Sequence, residues 1–128
     1  MSAAPSGGRA DQRRHPRYPI SAAGTVWALT AAVPPIPVKA SDISLSGMML
    51  HASAESMGAL RAGDELLFGF TDPASKDQFR LRAVLRWKRR GIMLVLGAWA
   101  FGVEFTGTPE EDVRRLLDPA AKGSAPLP

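Results

Sequence analysis

Residues 78–90 carry the clearest alternation of apolar and polar positions in the chain. Phe79, Leu81, Ala83, Leu85 and Trp87 fall on one side, Arg80, Arg82, Arg86 and Lys88 on the other, with Val84 the one exception. A period of two with cations along one side predicts a half-exposed antiparallel strand, and it places Trp87 in the core with Phe79 and Leu85. Shorter segments of strand character surround it. Thr25-Val26-Trp27-Ala28-Leu29-Thr30, within residues 20–32, is β-branched and aromatic. Pro34, Pro35 and Pro37 end that segment, and residues 38–44 and 47–51 resume as two further strands. Residues 65–71 and 98–106 read the same way. Between them, Arg61-Ala62-Gly63-Asp64 is a turn, residues 72–77 are a loop, and residues 52–61 are a loop or one helical turn. Gly91 and Gly97 bracket a hairpin connection or an additional strand.

Only one stretch signals a helix start. In Thr108-Pro109-Glu110-Glu111, Thr108 suits the cap, Pro109 the first position, and Glu111 completes a capping box. Val113, Leu116 and Leu117 give an apolar stripe as far as Asp118, where Pro119 is expected to stop the helix and leave residues 119–128 as a flexible tail. Short strands followed by one terminal helix predict an all-β fold, an antiparallel sheet curled into a small barrel. The C-terminal α-helix would then cover one opening or edge.

Composition narrows the class. The chain has 128 residues, 45% of them apolar, which suits one domain with one modest core. It has no cysteine, so a disulfide scaffold and a thiolate metal site are excluded. Residues 1–8 lack the apolar core of a signal peptide, and the apolar run 92–101 falls well short of the roughly 20 residues of a spanning helix. The expectation is a soluble cytoplasmic protein without membrane insertion. The net charge of +4 is unevenly spread. Before Asp42, Arg9, Arg13, Arg14, Arg17, Lys39 and the N-terminal amine face the single acid Asp11. Such a basic front end suits a phosphate-bearing partner or a solvated tail.

The basic residues next to Pro16 form an arm. Residues 1–12, rich in Ala, Ser and Gly, read as a disordered leader. In residues 13–19, Pro16 and Pro19 push His15 and Tyr18 out of the helical region, so Arg13, Arg14 and Arg17 lie on an extended or turning segment. Arginine binds phosphate bidentately, pairs with the O6/N7 edge of guanine, and stacks on base faces. Taken alone, the arm is as well explained by a basic tail in water. The second motif is Asp42-Ile43-Ser44-Leu45-Ser46-Gly47, a polar corner between two strands. Alternation puts Asp42 and Ser44 on one face, Ser44 and Ser46 offer hydroxyls, and Gly47 permits a positive φ or a close backbone approach to a ligand. Asp42 can accept from guanine N1 and N2 donors or hold an arginine. Its plainer reading is a side-chain-stabilised turn.

Taken together, Arg13-x-x-x-Arg17 and Asp42-x-Ser44-x-x-Gly47 resemble the two-part signature of PilZ domains, bacterial receptors for the second messenger cyclic di-GMP. The resemblance extends to Arg61-Ala62-Gly63-Asp64, Ala83-Val84-Leu85-Arg86-Trp87 and Phe101-Gly102-Val103-Glu104-Phe105, and so spans about Arg13 to Leu117. It implies a barrel of about six strands plus the C-terminal helix, with residues 13–118 as the domain. It also implies that the arm wraps a dinucleotide against a floor made by Asp42, Ser44 and Gly47, with Arg14 as a third cationic contact. Trp87 and Ser46 are possible additional contacts, Trp87 by stacking on a guanine.

The remaining candidates are weaker. Arg86 and Lys88 read as solvated charges. His15 and His51 have no partner at metal-ligand spacing, and Ser44 has no His and Asp relay, so no catalytic residue, metal ligand or cofactor is expected. The expected function is a non-enzymatic receptor that binds cyclic di-GMP and signals to an unidentified downstream protein, as a monomer or weak homodimer, in motility or biofilm regulation. The alternative is an adaptor of the same fold that does not bind the nucleotide. A barrel for single-stranded nucleic acid would need a platform of exposed aromatics that this sequence does not supply, so no DNA or RNA partner is expected.

Overall fold

The computed structural model describes residues 15–53, 55–90 and 98–128. The expected leader at residues 1–12, Arg13, Arg14 and the Gly91–Gly97 connection lie outside the described residues. Among those described there are six strands: β1 (Tyr18–Ala28), β2 (Ile36–Ile43), β3 (Gly47–Ala52), β4 (Glu65–Thr71), β5 (Gln78–Arg90) and β6 (Trp99–Phe105). They close into a barrel in the order β1-β2-β3-β6-β5-β4, and each neighbouring pair is antiparallel. A 3-10 turn, Glu55–Ala59, follows β3, and the helix α1 (Glu110–Gly123) packs on β1 and β5. Closure pairs every one of these strands on two sides, which removes the sheet edges. No helix among the described residues is long and apolar enough to cross a membrane.

Alternation builds the interior. In β5, Phe79, Leu81, Ala83 and Leu85 are buried while Arg80 and Arg82 face out. They meet Val26, Ile36, Leu50, Leu66, Phe68 and Phe101 from the other five strands in one core. Each large side chain fully buried there contributes about 1.5–3 kcal/mol. The Arg61–Asp64 turn forms as expected. Gly63 sits at φ 99, where a side chain would be strained, and the Asp64 carboxylate accepts from the Arg61 N–H at 2.8 Å. Gly63 N–H donates to Leu85 C=O at 2.7 Å and Leu85 N–H donates to Asp64 C=O at 2.9 Å, so this turn is bonded to the middle of β5.

The helix departs from expectation at both ends. Its N-cap is Pro109, and no side chain caps it. Thr108 is occupied elsewhere: its hydroxyl accepts from Arg82 N–H at 2.7 Å and donates to Arg82 C=O at 2.8 Å, tying the chain to β5. Glu110, Glu111 and Asp112 in the first turn favour the positive end of the helix dipole in place of a cap. Nor does Pro119 end the helix, which runs on to Gly123. A proline inside a helix costs about 3 kcal/mol. Packing offsets this, since Leu116 and Leu117 before it are buried and Ala120 after it packs on the core. The stretch expected as a flexible tail also returns to the barrel, where Leu127 N–H donates to Arg17 C=O at 2.6 Å.

Candidate ligand-binding site

Of the three register shifts among the described strands, one in β1 between Pro19 and Ala22, one in β2 and one in β5, the last two turn side chains into the candidate site. In β2 the pairing to β3 slips between Ala40 and Asp42, leaving Ser41 as the extra residue. Strict alternation after Val38 and Ala40 would turn Asp42 inward. The slip instead puts Ile43 in the core and Asp42 in a surface cleft. In β5 the pairing to β6 slips between Leu85 and Trp87, with Arg86 as the extra residue. Trp87, expected in the core by its parity with Phe79 and Leu85, therefore turns outward and is 40% exposed. It lies across Gly102 of β6, where an added Cβ would stand 2.2 Å from the indole Nε1.

The polar corner between β2 and β3 is held by Ser44. Its N–H donates to Gly47 C=O at 2.9 Å. Its hydroxyl oxygen accepts from the N–H groups of Ser46 and Gly47 at 3.1 and 3.3 Å, and the Ser44 and Ser46 hydroxyls are 3.1 Å apart. Ser44 and Asp42 are the buried polar residues among those described. Gly47 is needed for closeness, not for a positive φ: a Cβ would stand 2.1 Å from the Val103 carbonyl oxygen of β6. The sequence suggests a close approach to a ligand there; the group that requires the glycine is instead the backbone of the neighbouring strand β6.

Pairing of Tyr18 with Ile43 and of Pro19 with Asp42 carries the arm to this corner. Arg17, one residue earlier, lines the cleft, and its Nε is buried without a hydrogen-bond partner among the described residues. A buried donor left unpaired costs about 1–3 kcal/mol, so an acceptor entering here gains by satisfying it. Across the cleft, Arg86 donates from Nε to Glu104 Oε1 at 2.7 Å, and its Nη2 lies 2.7 Å from the same oxygen.

The cleft so formed has a volume of about 310 Å³, in the range of small-molecule sites. Of the residues singled out in the sequence, Arg17, Asp42, Ser44, Ser46, Gly47 and Trp87 all line it; Arg13 and Arg14 lie outside the described residues. Arg86, which reads from the sequence as a solvated charge, and Glu104, which the sequence gives no role, line it too, with Met48, Met49, Gly102 and Val103. No local signal finds these two; the glycine inside the apolar strand β6, Gly102, marks instead the close approach of the Trp87 indole. Chemically, the cleft offers cationic donors, a buried carboxylate, two hydroxyls, an aromatic wall and a floor trimmed by glycine. That set suits a ligand with a flat polar ring and anionic groups. Among the described residues no three His, Asp or Glu side chains group at metal-binding distance.

The PilZ domain family model matches residues 11–119. No curated protein matches the chain. Among solved structures, the PilZ domain of YcgR from Escherichia coli, determined with c-di-GMP, superimposes with a TM-score of 0.69 at 14% identity, covering 88% of this chain and 93% of that one. The Bacillus subtilis inhibitor of motility MotI/DgrA gives 0.68 at 16% identity, covering 88% of this chain, which spans only 50% of that protein. The PilZ domain of CeSA from a cellulose-synthesizing bacterium gives 0.54 at 12% identity, over 83% of this chain and 95% of that one. At these identities the structures establish the shared barrel, and the family model, which covers most of the sequence, establishes descent. This chain belongs to the PilZ domain family.

Proposed function

We propose that the protein is a non-enzymatic receptor that binds cyclic di-GMP in the cleft between the Asp42–Gly47 corner and the outer face of β5 and β6, and that it passes the signal to a partner protein. The E. coli YcgR domain of the same fold was solved with this ligand, and the B. subtilis relative is an inhibitor of motility. Cyclic di-GMP carries two phosphates and two guanines. Arg17 supplies a guanidinium for a phosphate or for a guanine O6/N7 edge. Asp42 accepts from the guanine N1 and N2 donors, and Trp87 provides a face for a purine. Arg13 and Arg14, next along the arm in sequence, would add cationic contacts. Membership of the family favours binding over catalysis.

The observation that carries this reading is the convergence of Arg17, Asp42, Ser44 and Trp87 on one cleft, with the Arg17 Nε buried and unpartnered. Isothermal titration with cyclic di-GMP, with GMP and cyclic di-AMP as controls, tests the proposal. Saturable heat is expected for cyclic di-GMP alone. Arg17→Ala should weaken binding by the loss of one charge-assisted contact, about 1.5–3 kcal/mol or roughly 10- to 150-fold. No heat from the unmodified protein at micromolar concentration rules the receptor reading out.

A further inference from the structure

We infer that Glu104 tunes the affinity of the cleft by holding Arg86 until an anionic group of the ligand takes it. The inference rests on the cleft being the cyclic di-GMP site. Arg86 Nε donates to Glu104 Oε1 at 2.7 Å and its Nη2 lies 2.7 Å from that same oxygen, in place of the stronger parallel fork with one nitrogen to each oxygen. The two side chains are 54% and 52% exposed, so the pair contributes little to folding and exchanges readily. Glu104 also pairs across the ladder with Gly47, which places its carboxylate beside the floor of the cleft. Among the described residues the charged lining then comprises Arg17 and Arg86 against Asp42 and Glu104, and these cancel. A ligand with two phosphates meets, among the described residues, a neutral wall in which one cation is already engaged. When a phosphate draws Arg86 away, Glu104 is left as a like charge close to it. Glu104 therefore lowers affinity, and Arg86 limits that penalty.

The barrel contains its own control. Arg82 and Glu65 make an ion pair of the same kind at 2.6 Å, with similar exposure; Arg82 lies on the same strand as Arg86 but outside the cleft. The test is titration of cyclic di-GMP into the full chain and its variants at low and high salt. Glu104→Gln is expected to tighten binding about 3- to 10-fold at low salt, with the gain shrinking as salt rises. Glu65→Gln should leave affinity within about twofold, because screening weakens its reach into the cleft. Arg86→Ala should weaken binding, and the weakening should be smaller in the Glu104→Gln background, where no unpaired carboxylate remains. Unchanged or weaker binding by Glu104→Gln, or equal tightening by Glu65→Gln, overturns the inference while leaving the receptor reading intact. Absence of binding by the unmodified chain overturns both.

Discussion

The two halves of β5 obey different rules. From Gln78 to Leu85 its ladder with β4 runs unbroken from Thr71–Gln78 to Glu65–Val84, and every second residue is buried. Past Leu85 it pairs with β6 alone, and Arg86 is the extra residue that inverts the facing of the residues after it. Trp87 emerges onto the cleft wall. Lys88 turns from a solvated charge into a half-buried anchor whose ammonium donates to the carbonyls of Gly58 at 2.8 Å and Met57 at 3.2 Å. Regular pairing thus builds the core and irregular pairing builds the cleft. The same contrast holds in β2, where the slip around Ser41 moves Asp42 from core parity to the cleft.

Four variants break or sharpen that contrast. The largest effect on stability is expected from Leu81→Ala in the regular half, since Leu81 is fully buried. It should cost about 2–5 kcal/mol, read as a lower thermal midpoint by circular dichroism. Trp87→Ala in the irregular half should cost far less stability yet remove a stacking contact of about 1–3 kcal/mol from ligand binding. If the two variants lose equal stability, Trp87 is a core residue after all and the bulge has no functional meaning. Thr108→Val removes both hydrogen bonds to the Arg82 backbone. A loss of about 1–2 kcal/mol is expected with helix content unchanged; a frayed helix in the far-ultraviolet spectrum would show that Thr108 caps it.

The smallest effect concerns Asp72, in the loop that leads into the regular half. Hydrogen bonds from the N–H groups of Ser75 and then Ala74, with Arg115 and Lys76 nearby, hold its carboxyl below the ordinary 3.8. A carboxyl depressed in the folded state adds stability above its ordinary value and loses it as pH falls through the folded value. Asp72→Asn should therefore lower the thermal midpoint near neutral pH, and the gap to the unmodified chain should close in strong acid. A gap that widens on acidification would reverse the sign of this contribution.

Most of the barrel was legible because its segments repeat with period two between recognisable turns. Phe79, Leu81, Ala83 and Leu85 are buried as their spacing requires, and the turn at Gly63 falls where its residues suggest. The motif residues Arg17, Asp42, Ser44 and Gly47 meet at one corner because β1 pairs with β2 at that point. What alternation misses is register. A bulge adds one residue without altering the composition of either flank, so Trp87 reads as core until its pairing with Gly102 is seen. Local rules also misplace Thr108 and Pro119, whose partners lie far away in sequence. A hydroxyl suited to a cap is drawn to Arg82, and a helix that should stop is held by Ala120 against the barrel. Glu104 and Arg86 looked like ordinary strand charges because an ion pair across β5 and β6 leaves no trace in either strand alone.

The most direct measurement uses the three tryptophans as reporters. Trp87 lines the cleft, Trp27 is exposed on β1, with the Arg80 guanidinium 5.9 Å from its ring centroid, and Trp99 is buried at the start of β6. Their indole N–H signals can be assigned by single substitution and followed by NMR during titration with cyclic di-GMP. The Trp87 signal should shift and saturate with the ligand, while that of Trp27 stays in place. A ligand that binds and moves Trp27 but not Trp87 would contradict the placement of the site on the bulged half of β5.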